Sequence, residues 1–219
     1  MKYVFLGLFA GFSIVHLYYS WKDEKKGRAA TKPFLLILIA LYYAVSCETL
    51  SLVLLFALLT SWLGDVLLIP QGTKWFISGG LSFFVSHFLF IAVYVKQINF
   101  ANAPWIWAAL LAVVYLAVAA VITSKLRQST PKEMRVAMYG YLIANSAMNV
   151  FAFMQMMTEL SAGSVVAYIG AVLFFVSDCS LFLVRYYEKP VVFKKHFTVM
   201  LTYLLGEFLI TQGVLMMTV

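Results

Sequence analysis

Charge is scarce in this chain. Only 11% of its 219 residues are Asp, Glu, Lys or Arg, against about 25% in a typical soluble domain. With 63% hydrophobic residues and a mean hydropathy of +0.92, an ordinary soluble domain is excluded. Cysteine is nearly missing. Cys47 and Cys179 lie in or beside apolar runs and form no CxxC, so they read as buried inert thiols rather than as a disulfide or a metal pair. Histidine is limited to His16, His87 and His196, with none at helical ligand spacing. A catalytic zinc takes three protein ligands, so no metal is expected. No apolar run has a central proline, and Gly79-Gly80 is the one paired-glycine break; the broken helices of many transporters are therefore not evident. The net charge of +7 does not point to nucleic acid. The basic residues sit in short loops between apolar runs, which is what orientation in a membrane requires.

What is present is a series of eight apolar runs, over about 3–20, 32–47, 49–69, 75–95, 103–123, 134–157, 164–186 and 196–218. Each is close to the roughly 20 residues that a bilayer demands. The chain reads as one all-α transmembrane domain over 1–219. The first run is followed by Trp21-Lys22-Asp23-Glu24-Lys25-Lys26 with no small-residue cleavage site, so it reads as a helix and not a signal peptide. Runs two and three meet at Ser46-Cys47-Glu48, which predicts a very tight turn. Of the 16 Lys and Arg, all but Lys2 and Lys96 fall in the loops after runs one, three, five and seven or within two residues of them. The positive-inside rule makes that side cytoplasmic and turns both termini outward. Such an orientation fits a bacterial inner membrane, and the endoplasmic reticulum would show the same bias.

The run Leu58–Ile69 carries Asp65 near its end, and a later run carries Asp178. An acid at a helix centre costs roughly 2.5–3.5 kcal/mol on insertion scales, less toward an interface. Such residues face a cavity or a partner, and they are functional by default; the bland alternative is an acid that only holds helices together. By topology, Asp65 lies about 6 Å and Asp178 about 12 Å from the cytoplasmic ends of their helices. Lys32, Tyr139 and Tyr203 fall in the same half, while His87, Asn145, Asn149 and Glu207 lie nearer the midplane. The polar groups are expected to converge on a cavity that opens toward the cytoplasmic leaflet.

Lys32 is placed at the cytoplasmic start of the second run, with Pro33 in a first helical turn. It either snorkels to the headgroups, binds a lipid phosphate, or pairs with one of the acids. Asn145 and Asn149 are one turn apart on one face. A weak internal repeat lays Asp65 over Asp178, Leu68 over Leu181 and His87 over Glu207. Four helices per half would make it a parallel repeat.

In order along the chain, Thr31-Lys32-Pro33, Ser61-Trp62-Leu63-Gly64-Asp65-Val66-Leu67-Leu68, Phe76, Gly80-Leu81, Phe84, His87, Gly170-Ala171-Val172-Leu173-Phe174 and Ser177-Asp178 form a series. The series resembles the YhhN family of membrane proteins, whose characterised members are lysoplasmalogenases. Tyr203 and Gln212 stand where the last family helix has similar polar residues. The chain departs from the family's frequent Ala-His with a following Tyr, having Ser86-His87 and Phe90 instead.

The resemblance implies hydrolysis of the vinyl ether of a lysoplasmalogen, with membrane lipid and a lysophospholipid substrate as partners. Products would be a fatty aldehyde and glycerophosphoethanolamine or glycerophosphocholine. The chemistry needs a proton donor and a nearby anion but no metal or organic cofactor. Two carboxylates in unlike settings can divide those roles, as they do around the oxocarbenium-like state of glycosidases. Asp178, the deeper, is expected to be the acid, and Asp65 the anion. Lys32, His87, Tyr139, Asn145, Tyr203 and Glu207 are expected around the substrate. The alternatives are a proton-coupled transporter of a small solute or lipid, and a non-catalytic lipid-binding protein. No feature of the sequence encodes an oligomeric state.

Overall fold

A computed structural model gives the structure of residues 1–217. Among the described residues the chain is eight α-helices and one 3-10 turn, with no strand. They are α1 Lys2–Trp21, α2 Lys25–Ser46, α3 Leu52–Leu67, α4 Thr73–Val95, α5 Trp105–Leu126, α6 Lys132–Thr158, α7 Ala162–Tyr186 and α8 His196–Met217. Seven are long and apolar enough to cross a membrane; α3, at 16 residues, is shorter. The expected last run ended at 218, which lies outside the described residues.

The helix ends follow local chemistry. Gly72 precedes α4 with φ of +127°, a conformation that side-chain-bearing residues rarely adopt. Ser161 and Ser164 cap the start of α7 reciprocally. Two boundaries differ from expectation. Helix α2 begins at Lys25, so Lys32 is its eighth residue and Pro33 lies in its interior, not in a first turn. Polar Lys25–Arg28 continue the helix where hydropathy falls. The second difference is the turn between α2 and α3, which is not tight. Cys47–Ser51 form a five-residue connection, extended at Cys47 and Ser51 and bent at Glu48 and Thr49, and the Ser51 N–H donates to the Tyr43 hydroxyl at 2.9 Å.

The helices pack as four successive hairpins, α1 with α2, α3 with α4, α5 with α6 and α7 with α8. Helix α4 also lies against α6, and α8 against α1 and α2. The tightest seam is α7–α8. A Cβ on Gly170 would sit 2.7 Å from the Gly206 carbonyl, and one on Gly206 would sit 2.9 Å from the Gly170 carbonyl. Only glycine allows backbones to approach this closely. The outward faces are apolar, with Ile106, Val113 and Val136 largely exposed, as suits contact with lipid tails. The polar side chains are buried in the middle of the bundle instead, among them Asp65, His87, Asn145, Asp178 and Glu207.

Candidate functional site

Three consecutive residues of α2 fix its place among its neighbours. Thr31 Oγ1 lies 2.7 Å from His16 Nδ1 on α1. The Pro33 carbonyl accepts from the Trp62 indole N–H on α3 at 2.8 Å. Between them, Lys32 Nζ reaches Asp65 Oδ1 at 3.1 Å. Trp62 and Asp65 are three residues apart, hence on one face of α3. The indole bond therefore sets the register in which lysine meets carboxylate. The second oxygen of Asp65, Oδ2, accepts from the Tyr203 hydroxyl of α8 at 2.9 Å. Asp65 is 2% exposed, so the pair is held away from bulk water. In such surroundings a charge persists only with a partner of opposite sign and hydrogen bonds.

Asp178 is held differently. Its Oδ2 accepts from the Tyr141 hydroxyl at 2.9 Å and from Asn145 Nδ2 at 2.7 Å, and His87 Nε2 stands 3.4 Å away. The donor orientation of Asn145 is enforced from behind. Asn149 Nδ2 donates to Asn145 Oδ1 at 3.0 Å, and the Tyr115 hydroxyl donates to Asn149 Oδ1 at 3.2 Å. A line of hydrogen bonds thus runs from α5 through α6 to the carboxylate on α7. Among the described residues, nothing donates to Asp178 Oδ1.

Rings pack against the side chains that surround the two acids. Phe174 lies with its centroid 5.1 Å from His87 and 5.5 Å from Tyr203, and Phe83 is 5.7 Å from Tyr203. Gly64 makes room for Phe83: a Cβ there would fall 2.6 Å from its ring.

Both carboxylates face one cavity of about 450 Å³. Its walls include Lys32, Tyr203, Ser177 and Leu68, and its mouth is formed by Pro70, Gln71 and Gly72 of the α3–α4 loop with Arg185 and His196. The mouth is at the end of the bundle where the basic loops lie. The Arg185 guanidinium stacks 3.7 Å from the centre of the Phe76 ring. Lys32, Arg185 and His196 thus surround an opening that leads to two acids. Among the described residues, no three His, Cys, Asp or Glu side chains converge as a metal-holding group.

Of the residues expected around a substrate, Lys32 and Tyr203 line the cavity together with Asp65 and Asp178. Asn145 holds Asp178 by a hydrogen bond, and His87 stands beside it at 3.4 Å. Tyr139 donates to neither acid; Tyr141, two residues on, does. Glu207 is fully buried and does not line the cavity, and among the described residues neither of its oxygens makes a hydrogen bond of good geometry. Arg185 and His196 are residues that the sequence reading did not place at a site. Arg185 is one basic residue among several beside the α7–α8 loop, and only its stacking on Phe76 distinguishes it.

No curated protein and no solved structure matches the chain. A family model, that of the YhhN family, matches residues 27–214. This stretch holds both acids and every side chain that contacts them. The chain belongs to the YhhN family.

Proposed function

We propose that the protein is a lysoplasmalogenase-like hydrolase of the vinyl ether bond. The observation that carries this reading is a pair of buried carboxylates with unlike partners on the wall of one cavity. Asp178 has one oxygen that accepts from Tyr141 and Asn145, and among the described residues nothing donates to the other. That free oxygen, Oδ1, is the one to carry a proton to the vinyl carbon distal to the ether oxygen. Protonation leaves an oxocarbenium ion, and Asp65, already charge-paired with Lys32, provides the facing anion. Preorganised charge at the place where charge develops is the largest lever available to such a site.

Water then adds to the cation and its proton passes to Asp178, restoring the acid. The hemiacetal so formed collapses to a fatty aldehyde and the free hydroxyl of the glycerophospho group. Atoms and protons balance with water as the only co-reactant. The Arg185 cation at the mouth suits the phosphate of the headgroup, with Lys32 on the wall further in, paired with Asp65. In this reading the mouth opens to the cytoplasmic leaflet of a bacterial inner membrane. Ethanolamine and choline headgroups both fit a site that recognises the phosphate.

The test is aldehyde release from lysoplasmenyl-ethanolamine and lysoplasmenyl-choline by the purified protein in detergent, with and without a chelator. Release that survives chelation and falls by about 10²–10⁴-fold in Asp65→Asn and Asp178→Asn, the usual worth of acid–base groups, is the expected result. Full activity in either variant would overturn the assignment. A second reading, a proton-coupled transporter, draws on Glu207, a buried acid that the hydrolytic scheme does not use. It requires uptake driven by a proton gradient in proteoliposomes, and loss of that uptake in Glu207→Gln.

A further inference from the structure

A second cavity lies beside the first. It is a groove of about 270 Å³ between α4, α6 and α7, with Phe84, Met134, Met138 and Phe182 among its walls. Its one hydroxyl belongs to Tyr141, which donates to Asp178. The groove shares Leu68, Phe76, Phe83 and Leu181 with the wall of the carboxylate cavity, so the two spaces adjoin across these side chains. At its other side Ile77, Leu81 and Ala137 are exposed on the outward face of the bundle, where lipid tails would lie.

Two glycines keep this groove open. Gly80 on α4 and Gly140 on α6 both line it, and a Cβ on either would meet no atom within 4 Å. Close helix packing does not explain them. Gly79, next in sequence, shows what such packing looks like: a Cβ there would lie 2.8 Å from the Leu68 side chain and 3.1 Å from the Gly64 carbonyl. Leucine at position 80 or 140 would therefore enter empty space rather than force helices apart.

We propose that this groove binds the hydrocarbon chain of the lipid substrate, that the chain enters sideways from the bilayer between α4 and α6, and that Gly80 and Gly140 set the length of chain accepted. The proposal rests on the hydrolase reading above. The geometry gives the lipid one direction. Its phosphate sits at the mouth by Arg185, its reactive bond lies at Asp178, and its chain passes Tyr141 into the groove. The occupant is a single unbranched chain, since a 270 Å³ apolar slot is at or below the small end of the 300–1,000 Å³ typical of ligand pockets. A lysolipid fits this description and a two-chain phospholipid does not.

The experiment has two arms. In the first, Gly80→Leu and Gly140→Leu are assayed on octadecenyl and octenyl lysoplasmenyl-ethanolamine. The expected result is a fall in kcat/KM of about tenfold or more for the long chain, the scale that pocket contacts give, with the short chain cleaved as by the unaltered protein. Equal effects on both chains, or no effect on either, would overturn the proposal. In the second arm, lysophosphatidylethanolamine with a diazirine at its chain end, which carries no vinyl ether, is photolysed with the protein and the label is mapped. Label on Ile77, Met134 or Met138, lost in Gly80→Leu, is expected. Label confined to other helices, or none above background, would overturn it. Label in the groove without aldehyde release from the unaltered protein would sink the hydrolase reading alone. Aldehyde release with label elsewhere would sink the chain site alone.

Discussion

Lys32 and Asn145 each stand 33 residues ahead of the carboxylate that they contact, Lys32 with Asp65 and Asn145 with Asp178. Two further contacts cross between the first four helices and the last four: Tyr203 of α8 serves Asp65 of α3, and His87 of α4 stands by Asp178 of α7; Tyr141 of α6 reaches Asp178 from within the same four. A parallel repeat of four helices would place its residues in this way. The two equivalent positions differ in charge, a cation in one half and a neutral amide in the other. In the proposed hydrolysis, that difference would divide the labour between an acid and an anion.

Removing the cation should therefore cost stability as well as activity. Lys32→Met leaves Asp65 buried without its countercharge, and breaking a buried pair in this way destabilises by roughly 3–5 kcal/mol. The double variant Lys32→Met/Asp65→Asn should recover most of that loss while staying inactive. Unfolding in detergent, followed by circular dichroism, separates the two variants. Equal stability of the single and double variants would contradict the pairing.

Tyr141 and Tyr139 offer a matched comparison. Tyr141→Phe removes one of the donors to Asp178 Oδ2 and should lower kcat about tenfold, equivalent to about 1.4 kcal/mol. Tyr139→Phe should leave kcat unchanged. Steady-state kinetics on one substrate decides it, and a larger effect at Tyr139 would mean that α6 presents its other face.

Arg185→Gln should raise KM about tenfold with kcat preserved, the signature of lost uniform binding. A water-soluble vinyl ether without phosphate should be cleaved equally by both proteins. A fall in kcat with KM unchanged would instead place Arg185 in the chemistry.

The α7–α8 seam should be intolerant of side chains. In Gly206→Leu the new Cβ meets backbone, the Gly170 carbonyl and the Phe174 nitrogen, both at 2.9 Å. Backbone cannot turn aside as a side chain can. The yield of folded protein on size-exclusion chromatography should collapse. Gly7→Leu on α1, with no atom within 4 Å of its Cβ, should behave as the unaltered protein.

Much of this architecture was legible in the sequence, and the reasons are local. Asp65 and Asp178 stood out because a charge in an apolar run needs an explanation, and the basic loops fixed which ends belong together. Lys32 was misplaced relative to its helix because hydropathy stops where Lys25–Arg28 begin, although the helix does not. Tyr141 was legible too, with hindsight about helical phase: Tyr141, Asn145 and Asn149 recur at four-residue steps on one face, and Tyr139 does not. Arg185 and His196 were not legible. Their place at the mouth follows from how α7 and α8 lie against the α3–α4 loop, a relation between distant segments that periodicity does not record.

Helix α3 has 16 residues, a length of about 24 Å at 1.5 Å per residue, while the hydrocarbon core of a bilayer is about 30 Å thick. This mismatch must be met by the membrane or by the loops at its ends. The loop at one end, Pro70–Gly72, is the rim of the carboxylate cavity. In a thick bilayer that rim is drawn below the headgroups, and in a thin one it stands level with them. Were the proposed hydrolysis to run at this site, the thickness of the surrounding lipid would bear on how readily a phosphate and a water reach Asp65, without touching a single side chain.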